Sequence, residues 1–223
     1  TLRPASPNGG RCCVTRVLYC RAPRPAVGVT LRLTAHGHAK YHANRTCTPV
    51  YDYDLADRTA TLRKRREIPG GFDADRYVAL RRTATAVDGA EIPITIVHRR
   101  GVEPDGSNPL WVYGYGSYGS SMNPWFSSNR LSLLDRGVVF ALAHVRGGGE
   151  KGRSWYDDGK MARKENTFTD FIAVVEQLRD EGWGDPARIA IEGGSAGGLL
   201  MGAVLNMRPD LFQYGIYFHS PST

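Results

Sequence analysis

The stretch Gly193-Gly194-Ser195-Ala196-Gly197 sets a serine among glycines where a strand-like run, Arg188 to Glu192, meets a helix-like run, Gly198 to Met207. A chain that goes from strand to helix within about three residues forces its central residue into strained backbone geometry, which only neighbours without side chains tolerate. The expected result is a nucleophile elbow. Its strain would hold the Ser195 hydroxyl clear of a sheet and aim the backbone N–H of Ala196 at the place where an oxyanion forms. The bare pattern G-x-S-x-G also occurs as an ordinary glycine-rich turn. The strand before it, the helix after it and the doubled glycines therefore carry the reading.

The chain has 223 residues, 41% of them hydrophobic, and no apolar run near the ~20 residues that span a bilayer. A soluble globular protein of one domain, or little more, is expected. The formal charge of +7 resembles a nucleic-acid signal until it is located. Residues 1–50 hold eight Lys or Arg and no Asp or Glu, which leaves 21 basic against 22 acidic residues in the rest. The basic excess thus belongs to the first fifty residues, and no nucleic-acid partner is expected for the remainder.

The same fifty residues contain all four cysteines, Cys12, Cys13, Cys20 and Cys47, and the histidines His36, His38 and His42. Residues 1–48 read either as an Arg-rich, acid-poor leader or arm, or as a mispredicted stretch without helical or strand periodicity. A metal site from His38, His42 and Cys47 is the weaker alternative, because the spacing lacks a Cys-x-x-Cys signature. The absence of cysteine after Cys47 argues against a disulfide-stapled fold for the rest.

From Thr48 the sequence becomes orderly. Pro49 to Leu55 and Thr59 to Leu62 flank a polar turn and predict a hairpin, Arg63-Lys64-Arg65-Arg66 reads as its solvated edge, and Pro69-Gly70-Gly71 as a linker. A second hairpin is predicted from Tyr77 to Thr85, turning at Asp88-Gly89 into Ile92 to Val97. Leu110 to Tyr113 and Val138 to Val145 read as buried strands. Thr167 with Asp170 reads as a capping box opening a helix whose apolar face is Phe168, Phe171, Ile172, Val175 and Leu178, stopped at Gly182. Strand, helix, strand, elbow and helix in succession imply an α/β protein with a mostly parallel sheet.

Five motifs in order, Tyr113 to Gly119, Arg130 to Gly137, His144 to Glu150, Gly193 to Gly198 and Asn206 to Phe212, resemble the prolyl oligopeptidase family of serine peptidases, and within it the oligopeptidase B branch. The resemblance runs from about Pro49 to Phe212. It implies an α/β-hydrolase catalytic domain, here incomplete, preceded by a remnant of a seven-bladed β-propeller that admits short peptides. On that basis residues 49–71 are the end of a propeller-like hairpin and its hinge, and residues 72–223 the N-terminal part of the catalytic domain. Ser195 matches the nucleophile and Tyr115 the phenol that donates to the oxyanion beside the Ala196 N–H. Tyr118 lines the substrate pocket, while Arg146 and Glu150 are structural supports.

A serine hydroxyl needs an imidazole base held by a carboxylate, and in this family both lie many tens of residues beyond the serine. Only residues 196–223 follow it here. His219 ends a strand-like run and reads as a surface or turn histidine, and His144 as a satisfied core group. An incomplete peptidase domain, inactive or nearly so, is therefore expected, with exposed apolar edges and poor solubility. The family branch implies cleavage after basic residues. Some relatives carry acidic residues where this chain has Asn123 and Trp125, which argues against a dibasic preference. Short peptides are the expected partners, acyl-serine chemistry takes no metal or organic cofactor, and no membrane partner is expected. The parent enzyme is expected to be cytoplasmic, and its oligomeric state is not fixed by the sequence. The competing readings are an α/β-hydrolase esterase and a non-catalytic hydrolase-like protein that binds through its basic arm.

Overall fold

The computed structural model describes residues 32–33, 38–40, 50–53, 59–64, 67–68 and 70–218. Strands β1 (Arg32–Leu33), β2 (His38–Lys40), β3 (Val50–Tyr53) and β4 (Ala60–Lys64) form an antiparallel sheet in sequence order. β3 and β4 are the arms of the hairpin expected from the sequence. β1 and β2 fall inside residues 1–48, where strands of two and three residues are too short for alternation to register. β4 is exposed along its length, and Arg63 on it pairs with Asp52. Arg65, Arg66 and Pro69 lie outside the described residues.

The second sheet holds β5 (Tyr77–Thr85), β6 (Glu91–Arg99), β7 (Leu110–Tyr113), β8 (Val139–Ala143), β9 (Ile189–Gly194) and β10 (Tyr214–Phe218). Their order across the sheet is β10-β9-β7-β8-β6-β5. The β5–β6 hairpin and the β6–β8 pair are antiparallel, and the other three pairs are parallel. Gly89 turns the hairpin at φ 81°, a conformation that costs a residue with a side chain about 1–2 kcal/mol.

Helices α1 (Ser128–Leu134), α2 (Arg153–Asp157), α3 (Glu165–Asp180) and α4 (Ala196–Met207) complete the unit. α3 and α4 pack on one face, with Phe171, Val174, Val175, Leu178, Leu200, Met201 and Val204 set against Ile94, Val112, Ala141 and Ile191. Leu134 of α1 packs on the other face, against Tyr77, Val97, Phe140 and Leu142. β8 is therefore buried on both sides, which accounts for its unbroken apolar sequence.

The capping box expected at Thr167 and Asp170 is not there. α3 begins two residues earlier, Thr167 Oγ1 donates to the carbonyls of Arg146 and Gly159, and Asp170 is buried against Arg146. Both side chains are consumed by the loop after β8. Each buried apolar side chain contributes roughly 1.5–3 kcal/mol against about 1 kcal/mol for a cap, so α3 forms by packing whether or not its first turn is capped. Its far end follows the sequence, with Gly182 at φ 78° and the Trp183 N–H donating to Leu178 O at 2.8 Å. α1 was not expected, because its Arg130 occupies a buried position and breaks the apolar pattern.

Among the described residues β10 is paired on one side only, and Tyr214, Ile216 and Tyr217 on it are exposed. An unpaired strand carrying such side chains is the edge from which low solubility is expected.

Candidate active site

Parallel strands β7 and β9 are neighbours, and their connections leave on opposite faces: β7 continues to α1, β9 to α4. Such a divergence opens a crevice at the carboxyl ends of the two strands, where α/β sheets bind ligands. Gly114 and Tyr115 leave β7 there, and Ser195 leaves β9.

Ser195 is the single residue between β9 and α4, at φ 54° and ψ −119°. The turn is tighter than the three residues expected, since the strand runs to Gly194 and the helix starts at Ala196. The serine is exposed. Two residues to either side, Gly193 and Gly197 must be glycine for reasons of space, whereas a Cβ on Gly194 would meet nothing within 4 Å. A Cβ on Gly193 would lie 2.5 Å from Gly197 O, and one on Gly197 would lie 3.0 Å from Gly114 O and 3.5 Å from Tyr115 Cδ2. The close approach of Gly197 brings Tyr115 over the first turn of α4. Ala196 opens that helix, so its N–H has no partner within it and is free to donate outward. Tyr118 stands at φ 59° with 76% of its surface exposed, its ring 6.5 Å from that of Tyr115. Ser195, Ala196 and Tyr115 thus gather at one end of the sheet, with Tyr118 beside Tyr115.

The loop between β8 and α2 supports this end of the sheet. The Arg146 guanidinium binds buried Asp170 through Nε at 2.9 Å and Nη2 at 2.6 Å, and reaches Asp88 through Nη1 at 2.5 Å. These carboxylates hold its pKa above the usual arginine value. A Cβ on Gly147 would lie 2.1 Å from Gly116 O, and Gly119 N–H donates to Gly147 O at 3.0 Å, so this loop is seated directly against the Tyr115 loop. Glu150 Oε1 accepts the Met122 N–H at 2.8 Å, with His144 Nδ1 3.7 Å away. His144 itself is buried just past β8 and shares a hydrogen bond from Nε2 to Thr95 Oγ1 at 2.9 Å.

Three charged groups that the sequence did not single out as site residues also lie here. Lys164 Nζ donates to Gly116 O and Ser117 Oγ, and burial pushes its pKa down to about 8. Arg130 is buried with its guanidinium carbon 3.7 Å from the Phe140 ring centre and 5.4 Å from that of Trp125; burial lowers it to about 10. Glu192 is pushed up by burial, an effect opposed by Trp111 and Arg130. Trp125 therefore stands among Arg130 and Tyr113, the latter's ring 5.8 Å away. Lys164 and Glu192 are isolated residues without a pattern around them, and nothing in the sequence marks either. Arg130 sits within a motif, but its burial under aromatic rings shows only in three dimensions.

No histidine follows Ser195 among the described residues, and His219 lies outside them. Asp210 follows, but it is bound to Arg208 beyond the far end of α4, whose 12 residues set it about 18 Å from Ser195. Of the possible metal ligands, His42 and Cys47 lie outside the described residues and only the backbone of His38 is described.

The sequence profile of the prolyl oligopeptidase family matches residues 124–222. The chain is 51% identical over 176 residues to a dipeptidyl aminopeptidase BI of Pseudoxanthomonas mexicana, covering 78% of this chain and 24% of that protein. It is 49% identical over 146 residues to Protease 2 of Moraxella lacunata, covering 66% of this chain and 21% of that one. Among solved structures, oligopeptidase B from Leishmania major superposes with a TM-score of 0.77 at 45% identity, over 85% of this chain and 25% of that one. The chain thus spans about a quarter of the length of these relatives. With the elbow at Ser195, the sheet order and these matches together, the chain belongs to the prolyl oligopeptidase family and has the α/β-hydrolase fold of that family's catalytic domain.

Proposed function

We infer that this chain is the elbow-bearing part of a serine peptidase that hydrolyses short peptides through an acyl-serine. The observation that carries the reading is Ser195, exposed and strained between β9 and α4 with Tyr115 packed over the same helix turn. Ser195 Oγ attacks the scissile carbonyl while an imidazole base takes its proton. The carbonyl oxygen becomes an oxyanion held by the Ala196 N–H and the Tyr115 hydroxyl, the amine leaves with the proton, and water then releases the acyl group by the same steps. The base and its carboxylate are supplied from outside the described residues. The four-stranded antiparallel sheet formed by β1 to β4 supports reading residues 49–71 as the last propeller strands and hinge, with residues 72–223 as the catalytic part. Residues 1–48 keep their two readings, leader or mispredicted stretch.

The relatives' names, dipeptidyl aminopeptidase, Protease 2 and oligopeptidase B, have peptide-bond hydrolysis in common. Cleavage after a single basic residue follows from the oligopeptidase B resemblance. Asn123 and Trp125 offer no carboxylate to a second basic residue, and Trp125 is engaged by Arg130 and Tyr113.

The test is a graft in which this chain replaces the matching stretch of the Pseudoxanthomonas mexicana relative. Turnover of arginyl and lysyl peptide substrates that depends on Ser195 supports the reading, and a folded graft without turnover overturns it. Tyr115→Phe in the same graft is expected to lower kcat by about 10²–10³-fold with little change in KM, the usual cost of one oxyanion donor. The 223-residue chain alone, with no histidine after Ser195 among its described residues, is expected to show no turnover above that of its own Ser195→Ala variant, measured with the same substrates.

A further inference from the structure

Lys164 joins two parts of the fold that are 47 residues apart in sequence. It ends the short 3₁₀ turn Met161–Arg163 and precedes α3, and its Nζ donates to Gly116 O at 2.5 Å and Ser117 Oγ at 2.9 Å. Gly116 is the residue immediately after Tyr115. It stands at φ 65° in a walled position, where a Cβ would lie 2.3 Å from Thr167 Cγ2 and 2.7 Å from Val145 Cγ2. On the far side of its carbonyl is Gly147. The peptide that follows Tyr115 is thus confined by the β8 loop and α3, and the charged donor to it is Lys164.

The setting of this lysine is unlike that of Arg146. Arg146 has two carboxylates, whereas among the described residues no ion pair is formed by Lys164. The Phe168 ring, 5.9 Å away, flanks it. Of the titratable groups on the elements it joins, Tyr115 and Tyr118 are on the loop, Arg163 is bound to Asp158, and Glu165 at the start of α3 is exposed; farther along α3, Asp170 is bound to Arg146, Glu176 to Arg208, and Arg179 to Asp180. A half-buried cation without a carboxylate is unfavourable for folding, and its favourable contacts are the two hydrogen bonds to the Tyr115 loop.

We propose that Lys164 is a positioning residue of the oxyanion site, its ammonium holding the Gly116–Ser117 segment so that Tyr115 is fixed over the first turn of α4. This rests on the serine-peptidase reading of Ser195 and Tyr115. A donor displaced by about 1 Å loses on the order of 10²-fold in rate, so a clamp one residue from the phenol has leverage on the chemical step. Burial lowers the ammonium to about 8, so the clamp is charged at neutral pH and weakens above that value, as a neutral amine makes weaker hydrogen bonds than an ammonium.

The experiment has a spectroscopic arm on the 223-residue chain and a kinetic arm on the graft. With ring-¹³C-labelled tyrosine, and the Tyr115 cross-peak assigned through Tyr115→Phe, the wild-type peak is expected to move with a midpoint near pH 8. In Lys164→Arg it stays near the wild-type neutral-pH position up to pH 9, and in Lys164→Met it is displaced at every pH. In the graft, Lys164→Met is expected to lower kcat about 10–100-fold with KM within about twofold, and Lys164→Arg to restore most of the rate and carry it above pH 8. A Tyr115 peak that ignores both pH and Lys164→Met overturns the proposal, as does an unchanged kcat. So does a parallel loss of kcat and thermal stability that arginine fails to rescue. If the graft has no Ser195-dependent turnover while the Tyr115 peak responds to Lys164 as described, the clamp stands and the peptidase reading falls.

Discussion

Replacing Ser195 by alanine in the graft is expected to remove peptide hydrolysis by about 10⁵–10⁶-fold, and replacing it by glycine to remove as much while giving the more stable protein. The first half follows from chemistry. An acyl-serine route has no substitute for the attacking oxygen, and what survives is the rate supplied by binding and the oxyanion donors alone. The second half follows from the backbone. At φ 54° and ψ −119° Ser195 occupies a region that costs a residue with a Cβ about 1–3 kcal/mol, and alanine keeps that Cβ. Glycine removes the strain and loses about 0.5–1 kcal/mol to its greater freedom when unfolded, which leaves it roughly 1 kcal/mol above Ser195→Ala. Urea unfolding of the three proteins checks the order. A glycine variant less stable than the alanine variant would mean that the elbow is unstrained, and the argument for a presented nucleophile would lose its structural basis.

The elbow was legible in the sequence because its requirement is local. A strand, a one-residue turn and a helix leave no room for a side chain two residues to either side of the serine, at Gly193 and Gly197, and glycine at fixed offsets can be read in one dimension. The β5–β6 hairpin was legible for the same reason, through Asp88-Gly89. Thr167 and Asp170 show where this stops. Their three-residue spacing has the form of a cap, but Arg146, 24 residues from Asp170, competes for the carboxylate and wins, because a buried guanidinium offers several charge-assisted hydrogen bonds. Lys164 was invisible on the same grounds: its partners lie 47 and 48 residues away, and a single lysine before a helix has no pattern. β1 and β2 are too short to alternate. What the sequence hid are contacts between distant segments at the site, and these determine where Tyr115 sits.

Arg146→Met is expected to destabilise the fold by about 3–5 kcal/mol, the largest stability effect of any single change near the site. Asp170 has no exposed surface and accepts the Arg146 backbone N–H together with Nε and Nη2. Removing the guanidinium leaves this carboxylate buried with its backbone donor as the remaining partner from Arg146, and an uncompensated buried charge costs far more than the intact pair contributes. Asp88 is the contrasting partner. Its side chain is half exposed, so Asp88→Ala is expected to cost no more than about 1 kcal/mol. Arg146 holds the Asp88 carboxyl below its usual pKa, and the small contribution of that pair is therefore present above pH ~4 and lost as acid protonates the carboxyl. Replacing both buried partners, Arg146→Met with Asp170→Leu, is expected to recover most of the loss, since no charge is then left without a partner. The consequence reaches the end of the sheet that carries Ser195: Arg146 O accepts the Thr167 hydroxyl and Gly147 seats Gly116, so the single variant should loosen the Tyr115 loop before the sheet unfolds. Urea midpoints give the outcome directly, as a fall of roughly 1–2.5 M for Arg146→Met at an m-value of about 2–3 kcal/mol/M. Equal losses for Arg146→Met and Asp88→Ala, or a double variant no better than the single one, would place the stability of this loop in its backbone packing and leave the buried ion pair without the role assigned to it.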